Sequence, residues 1–452
     1  MFAFKNNKKW RKIMSKKVTI FGAGLVVKPM VDYLAGKGYE ITIASRTLSK
    51  AEKLAEPHPK AFAKQFLSDD EAALEEFVKN SDLVVSLLPA TLHVEVAKKC
   101  IEFKTNMVTT SYISPAMREL DQQAKDAGII ILNEIGVDPG IDHMSAMKIF
   151  HHVENEGGKI VSFMSYCGGL PAPEANTNPL GYKFSWAPKG VLKAAGNGAK
   201  YMKDGKIIEV EGKNLFNNYW FVDVEGAGTL EAYPNRNSLD YIDLYDLKDV
   251  KTMYRGTFRN ISHCNTWYIM SQMGFYKEDE IFDNLTGTVK DFILTKMFKT
   301  DKDKCLKELL MEKYNLPEES VILKKFEWLG FFDETPIPIT KGGAVDVLTA
   351  IMLDKMSYEE GERDLLVLHH KFIAEYPNKT QKITSTMIDY GIPNGDSSMA
   401  RTVSLPAAIG VHMILQGEIT VKGVHMPILP NIYNPILNEL ENLDIKVIER
   451  FY

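Results

Sequence analysis

The chain has 452 residues, 45% of them hydrophobic and 25% charged, which suits about three ordinary globular domains. A net charge of −5 argues against a general nucleic-acid or anionic-membrane binder. No apolar run reaches the ~18 residues of a spanning helix; the four scattered cysteines (Cys100, Cys167, Cys264, Cys305) form no C-x-x-C and suit a reducing, cytoplasmic setting.

Residues 1–14 are basic, lack the apolar core of a secretory signal, and read as a disordered lead-in. The apolar, β-branched run Lys17-Val18-Thr19-Ile20-Phe21 then ends in Gly22-Ala23-Gly24-Leu25-Val26 and passes into a helical pattern over 29–36. A strand, a Gly-x-Gly turn and a helix N-terminus together bring backbone amides and the positive end of a dipole to a pyrophosphate. Gly22 permits the turn, and Gly24 removes a Cβ that would block the phosphates. The third small position of the fingerprint is Val27, so the motif is incomplete, and an ordinary tight turn is the alternative reading.

A second strand over 39–45 ends in Ser45-Arg46-Thr47, with Lys50 one turn on. An acid there would accept hydrogen bonds from the ribose of NAD. A guanidinium beside hydroxyls suits the 2′-phosphate of NADP instead; the alternative is a solvated loop arginine. Helices over 70–79, 94–103 and 115–127 then alternate with strands over 82–89, 107–111 and 129–134, the pattern of an α/β, doubly wound parallel sheet. Ligands bind at the carboxyl ends of such strands, here Leu87-Leu88-Pro89, Ser111-Tyr112 and the stretch 134–139. In Val137-Asp138-Pro139-Gly140-Ile141-Asp142-His143, two acids and a histidine could move protons. Asp138 is equally placed to cap a helix with Pro139 at its first position.

From about residue 159 the pattern changes. A strand over 159–167 runs into a stiff loop over 168–174, and glycine, proline, aromatic residues and arginines recur through Arg236 and Arg255–Arg259, as in a mixed-sheet domain. Residues 274–330 read as a helical insert. Strands over 365–370 and 381–389 flank a hairpin-like turn at 376–379. An apolar helix over 398–415, rich in small residues such as Ala407, Ala408 and Gly410, can pack closely on a sheet and is expected to return to the first domain. The pairs His151-His152 and His369-His370 have no spaced partner ligands and point apart, so no metal is expected.

Several of these stretches carry a resemblance: Ser45-Arg46-Thr47-Leu48, the segment from Thr110 to Ala116, the run from Asn133 to His143, the run from Ser165 to Glu174, Tyr233-Pro234-Asn235-Arg236, Arg255-Gly256-Thr257 and Glu362-Arg363-Asp364. The chain resembles the NADP-dependent, glutamate-forming saccharopine dehydrogenases from about residue 17 to its end. The resemblance implies a Rossmann domain over 15–140 completed by about 396–452. It also implies a substrate-binding and dimerisation domain over 141–273 and 331–395, and a helical domain over 274–330. NADP is implied over Gly22, Gly24, Leu25, Val26, Ser45, Arg46, Thr47, Leu87, Leu88, Val137 and Pro139. Saccharopine is implied at Ser111, Tyr112, Asp138, Arg236, Thr257 and Arg259. Val27 replaces the family's alanine and implies a helix slightly off the sheet; Phe66-Leu67 replaces its Asp-Val and implies altered adenine packing.

The implied reaction is reversible: α-aminoadipate semialdehyde and glutamate form an imine, and NADPH delivers hydride to give saccharopine. Three substrate carboxylates call for cations, met by Arg236, Arg255 and Arg259, although Arg255 is as well suited to structural ion pairing. Proton transfer falls to Asp138, Tyr112 or Cys167 as catalytic candidates; His143 reads as a helix residue making one hydrogen bond. A homodimer acting on small molecules, with no nucleic acid or membrane partner, completes the expectation. The alternatives are an imine reductase for another amine adduct, of the carboxynorspermidine type, and an NADPH-binding regulator without turnover.

Overall fold

The computed structural model describes residues 15–277 and 280–452, so the expected lead-in over 1–14 lies outside the described residues. The chain forms two compact units: residues up to Gly136 with Ala407–Met426, and Val137–Pro406 with Pro427–Tyr452.

In the first unit, β1 (Lys17–Phe21), α1 (Lys28–Gly36), β2 (Glu40–Ser45), α2 (Leu48–Ala55), β3 (Ala61–Gln65), α3 (Glu71–Lys79), β4 (Leu83–Ser86), α4 (His93–Glu102), β5 (Asn106–Val108), α5 (Pro115–Arg118), α6 (Asp121–Ala127) and β6 (Ile130–Leu132) alternate along the chain. The strands form one parallel sheet in the order 3-2-1-4-5-6, extended beyond β6 by Gly423–His425. Strands buried on both faces read as near-continuous apolar runs, and every residue of β4 and β6 is buried. The order reverses between β1 and β4, which makes their carboxyl ends the topological switch point.

Two expectations in this unit change. The helix over 115–127 is two helices, and β3 carries no clear signal of its own because most of its residues are half-buried or exposed. Phe66, just past β3, is buried in a cluster with Phe21 (ring centroids 4.8 Å) and Phe77 (6.0 Å), while Leu67 is exposed. Gly410 does serve close packing: a Cβ there would lie 2.8 Å from Ile135.

The second unit opens with α7 (Ile141–Asn155) and β7 (Lys159–Pro171). Its mixed sheet runs β10 (Trp220–Val224), β11 (Gly228–Pro234), β12 (Thr252–Arg259), β7, then the hairpin Asp364–Tyr376 and Lys379–Tyr390, then Val447–Phe451. The short strands β8 (Ala199–Lys203) and β9 (Lys206–Val210) branch from β12. β7 and β12 are parallel and the hairpin is antiparallel. The stiff loop expected at 168–174 is partly strand, because Gly168 to Pro171 pair with the hairpin.

Two domain expectations are corrected. Residues 396–406 and 427–452 lie in the second unit, where Val447–Phe451 pairs with Lys379–Tyr390 rather than completing the first sheet. The helical stretch has no core of its own: Phe292, Leu310 and Phe326 share one buried cluster with Tyr166, Tyr254 and Phe258 of the mixed sheet. The apolar helix is Ser398–Gln416, which by length and composition could cross a membrane, contrary to the reading of the bare sequence. Scattered polar positions such as Arg401 hide this in a linear scan; 78% of its most apolar stretch is buried inside the protein.

Candidate active site

A candidate cofactor site is built at the switch point of the first unit. Gly22 has φ +117°, and its amide bonds to Ala44 O at 2.9 Å, tying the turn to the end of β2. A Cβ on Gly22 would lie 3.0 Å from Leu87 O, so only glycine lets β1 and β4 end this close. Gly24 faces open space, and Leu25 is 68% exposed with Val26 half-buried beside it. Val27 is buried at the start of α1, where its carbonyl accepts from Met30 N. Ser45 is half-buried at the end of β2; Arg46 and Thr47 are exposed, and Thr47 heads α2 without a side-chain cap bond. Among the described residues Arg46 makes no ion pair. A bare turn, open space at Gly24, a helix N-terminus and an uncommitted guanidinium fit a dinucleotide carrying a 2′-phosphate.

On the same side of this sheet the expected substrate residue Ser111 is joined to two side chains that the sequence did not single out. Ser86, at the end of β4, lies 2.8 Å from His93 Nδ1, and His93 Nε2 lies 2.7 Å from Ser111 Oγ. The only signal was a histidine opening a helix just past a strand end. Glu134, which opens the expected stretch 134–139, is buried and accepts from Ile113 N at 2.9 Å, while its own amide donates to Ser111 O at 3.1 Å. Ser111 and Tyr112 are therefore held in a braced loop, both half-buried.

A cluster of acids and cations lies in the second unit. β12 presents Arg255, Thr257 and Arg259 on one face, because alternate residues of a strand share a face. In the parallel register, Cys167 of β7 stands beside Thr257 and Ser165 beside Arg255. Arg255 Nη2 donates to Asp138 at 2.5 Å and to Asp142 at 2.6 Å, and its guanidinium lies 4.4 Å from the Tyr241 ring centre. Burial opposes ionisation of Asp142, yet His143, Arg255 and the Gly140 amide hold its carboxyl below the usual carboxylate range. His143 is fully buried with its Nδ1 2.5 Å from the Tyr245 hydroxyl, which agrees with its reading as a helix residue.

Asp138 does not cap a helix. α7 begins at Ile141 with Gly140 as its N-cap, and Asp142 accepts from Gly140 N at 2.6 Å. Asp138 is turned to Arg255 instead, and the Asp138–Pro139 peptide is cis. Val137 accepts from Asp142 N and is buried, as is Pro139.

Arg259 has a different setting. It is 6% exposed and packs its guanidinium 4.8 Å from the Tyr182 ring and 5.9 Å from that of Tyr233. Nη1 donates to Phe258 O, Nε has no partner, and among the described residues no carboxylate reaches it. Cys167 is buried, and burial with the nearby charges of Asp138 and Asp142 pushes its thiol well up, so it stays a neutral thiol. Arg236 sits exposed in the loop after β11 with φ +55°.

A Gly-x-Gly turn at the switch point of a 3-2-1-4-5-6 parallel sheet, with a cation in place of an acid after β2, defines a dinucleotide-binding protein of the NADP type. Residues 18–132 match the family model described as the saccharopine dehydrogenase NADP binding domain, and residues 136–445 that of the saccharopine dehydrogenase C-terminal domain. The chain is 41% identical over 438 residues to saccharopine dehydrogenase [NADP(+), L-glutamate-forming] of Saccharomyces cerevisiae, covering 95% of this chain and 97% of that protein. It is 37% identical to the mitochondrial alpha-aminoadipic semialdehyde synthase of Rattus norvegicus, over 94% of this chain and 47% of that one. The solved apo structure of the Saccharomyces cerevisiae L-Glu-forming saccharopine dehydrogenase superposes with a TM-score of 0.87 at 39% identity, covering 97% of this chain and 100% of that one. The chain belongs to the saccharopine dehydrogenase family and is an NADP-dependent oxidoreductase of lysine metabolism.

Proposed function

We propose that this chain interconverts saccharopine with L-glutamate and α-aminoadipate semialdehyde through an imine. The observation that carries the reading is Arg259, a buried guanidinium that no carboxylate among the described residues reaches. A desolvated, unpaired charge is costly, and a substrate carboxylate relieves that cost with two parallel N–H···O bonds. Aromatic walls at Tyr182 and Tyr233 keep the guanidinium face covered, leaving its edge for the ligand.

NADP, when bound, accepts or supplies the hydride. In the oxidative direction the secondary amine must first lose a proton, and Asp138 is the assigned acceptor, with Arg255 fixing its orientation. After hydride loss, water adds to the imine carbon, one of its protons passes to nitrogen, and the C–N bond breaks as the new hydroxyl gives up its remaining proton, releasing glutamate and α-aminoadipate semialdehyde. General acid–base assistance of this kind contributes ~10²–10⁴-fold. Cys167, a neutral thiol, lines the face beside Thr257 and takes no nucleophilic part. Tyr112 remains the second proton-carrying candidate, and Ser111, Arg236 and Thr257 are assigned to substrate binding.

We assign substrate binding and dimerisation to the second unit of a soluble, cytoplasmic homodimer. Ile448 and Phe451 on Val447–Phe451, and Phe221 on β10, are exposed apolar residues that a second copy would cover. Purified protein given saccharopine should reduce NADP+ faster than NAD+, most readily at alkaline pH, and elute from a sizing column as a dimer. Turnover of another amine adduct but not of saccharopine would overturn the substrate, and NADPH binding with no turnover of any adduct would indicate a regulator.

A further inference from the structure

Ser111 is fixed at three points, all within the first unit. Its amide donates to Thr109 Oγ1 at 3.3 Å, its carbonyl accepts from Glu134 N at 3.1 Å, and its hydroxyl meets His93 Nε2 at 2.7 Å. The far side of the imidazole meets Ser86 Oγ at 2.8 Å. His93 is 3% exposed and opens α4. Burial pushes its imidazole down to about 4, and the positive end of the α4 dipole acts in the same direction. The ring is therefore neutral at working pH, with one N–H and one bare nitrogen.

Two arrangements satisfy the chain. In the first, Ser86 donates to Nδ1 and Nε2–H donates to Ser111, so the Ser111 hydroxyl proton is left for another acceptor. In the second, Nδ1–H donates to Ser86 and the Ser111 hydroxyl is used up donating to Nε2, leaving Ser111 only an acceptor. Only the first can serve an anionic ligand, because a carboxylate accepts hydrogen bonds and cannot donate one.

We propose that His93 is a positioning residue which, locked by Ser86, turns the Ser111 hydroxyl into a hydrogen-bond donor toward a carboxylate of the substrate. The inference rests on the assignment of Ser111 to substrate binding, and adds the group that sets its polarity. In this role His93 acts through Ser111. The same frame explains why a histidine, with two opposed nitrogens in one rigid ring, stands between two serines.

Two measurements test it. In full-length protein labelled with ¹⁵N at histidine, His93 should show a neutral ring with the proton on Nε2; a proton on Nδ1, or a charged ring at neutral pH, would overturn the proposal whether or not saccharopine is turned over. In kinetics, His93→Leu should raise KM for saccharopine by ~10–100-fold, as for loss of a hydrogen bond to a charged group, and leave KM for NADP+ unchanged. His93→Gln, whose amide N–H can reach Ser111, should recover most of that loss, and Ser86→Ala should give a smaller rise of the same kind. Equal losses for substrate and cofactor, or no rescue by glutamine in a folded protein, would mean a purely structural histidine. Wild-type protein that turns over no saccharopine would count against the substrate assignment, while the tautomer result would stand separately.

Discussion

Arg255 and Arg259 share one face of β12, and their neighbours give them opposite duties. Arg255 is held by two carboxylates; Arg259 has aromatic rings and an unpartnered Nε. Arg259→Gln should raise KM for saccharopine by ~10–100-fold with little loss of stability, because it removes a buried charge that no carboxylate among the described residues pairs. Arg255→Gln should cost roughly 3–5 kcal/mol in urea unfolding, because it leaves Asp138 and Asp142 facing each other without their cation. Similar stability losses for the two variants would refute the division. In the sequence the two arginines look alike, four residues apart. Their difference is illegible there because the acids that claim Arg255 are 117 and 113 residues away. Gly22 and Arg46 are legible for the opposite reason: a tight turn and a strand-end charge are local chemistry.

Among the elements, the helix Ser398–Gln416 shows how a long-range contact sets a boundary. Its first amides, Ser398 N and Met399 N, donate to the two oxygens of Asp364 at 2.6 and 2.8 Å. The carboxylate thus satisfies two of the donors that a helix N-terminus leaves without intrahelical partners, from a strand 34 residues earlier. Asp364→Ala should destabilise the protein by about 1–3 kcal/mol, with Asp364→Asn losing less because its amide keeps one acceptor. An unchanged urea midpoint for the alanine variant would show that the cap is dispensable. The helix itself was readable from its apolar run, and so is its local cap Ser397, whose Oγ accepts from Ala400 N at 3.1 Å; the Asp364 cap was not, because it comes from a strand 34 residues earlier. The same physics misplaced Asp138: Asp-Pro before a helix reads as a cap, but a buried guanidinium competes for the carboxylate and wins.

For the whole molecule, alternation of strands and helices made the doubly wound class legible, whereas the sheet that takes the final strand was not, because antiparallel pairing carries no order in sequence. Burial of titratable groups adds a property that depends on the assembled fold. Burial pushes His93 and His369 down to about 4 and His370 to about 3, and lowers His263 well below its ordinary value. An unfolded histidine titrates near 6.5. Between about pH 6.5 and 4 the unfolded chain therefore binds protons that the native state refuses, and stability falls as pH falls, by about 1.4 kcal/mol per pH unit for each such histidine. Asp142, with its carboxyl held low, withdraws its own contribution only below the unfolded carboxylate value near 3.9. Acid unfolding should accordingly be driven first by histidines. Three of the four, His263, His369 and His370, lie in the second unit, as do all the tryptophans of the described residues, Trp186, Trp220, Trp267 and Trp328. The urea midpoint followed by tryptophan fluorescence should drop steeply from pH 6.5 to 4.5, and His370→Leu should flatten that slope, since it removes one group whose protonation favours the unfolded chain. A midpoint independent of pH over that range, or a slope unchanged in His370→Leu, would show that these imidazoles gain protons in the native state and that the buried-neutral assignment is wrong.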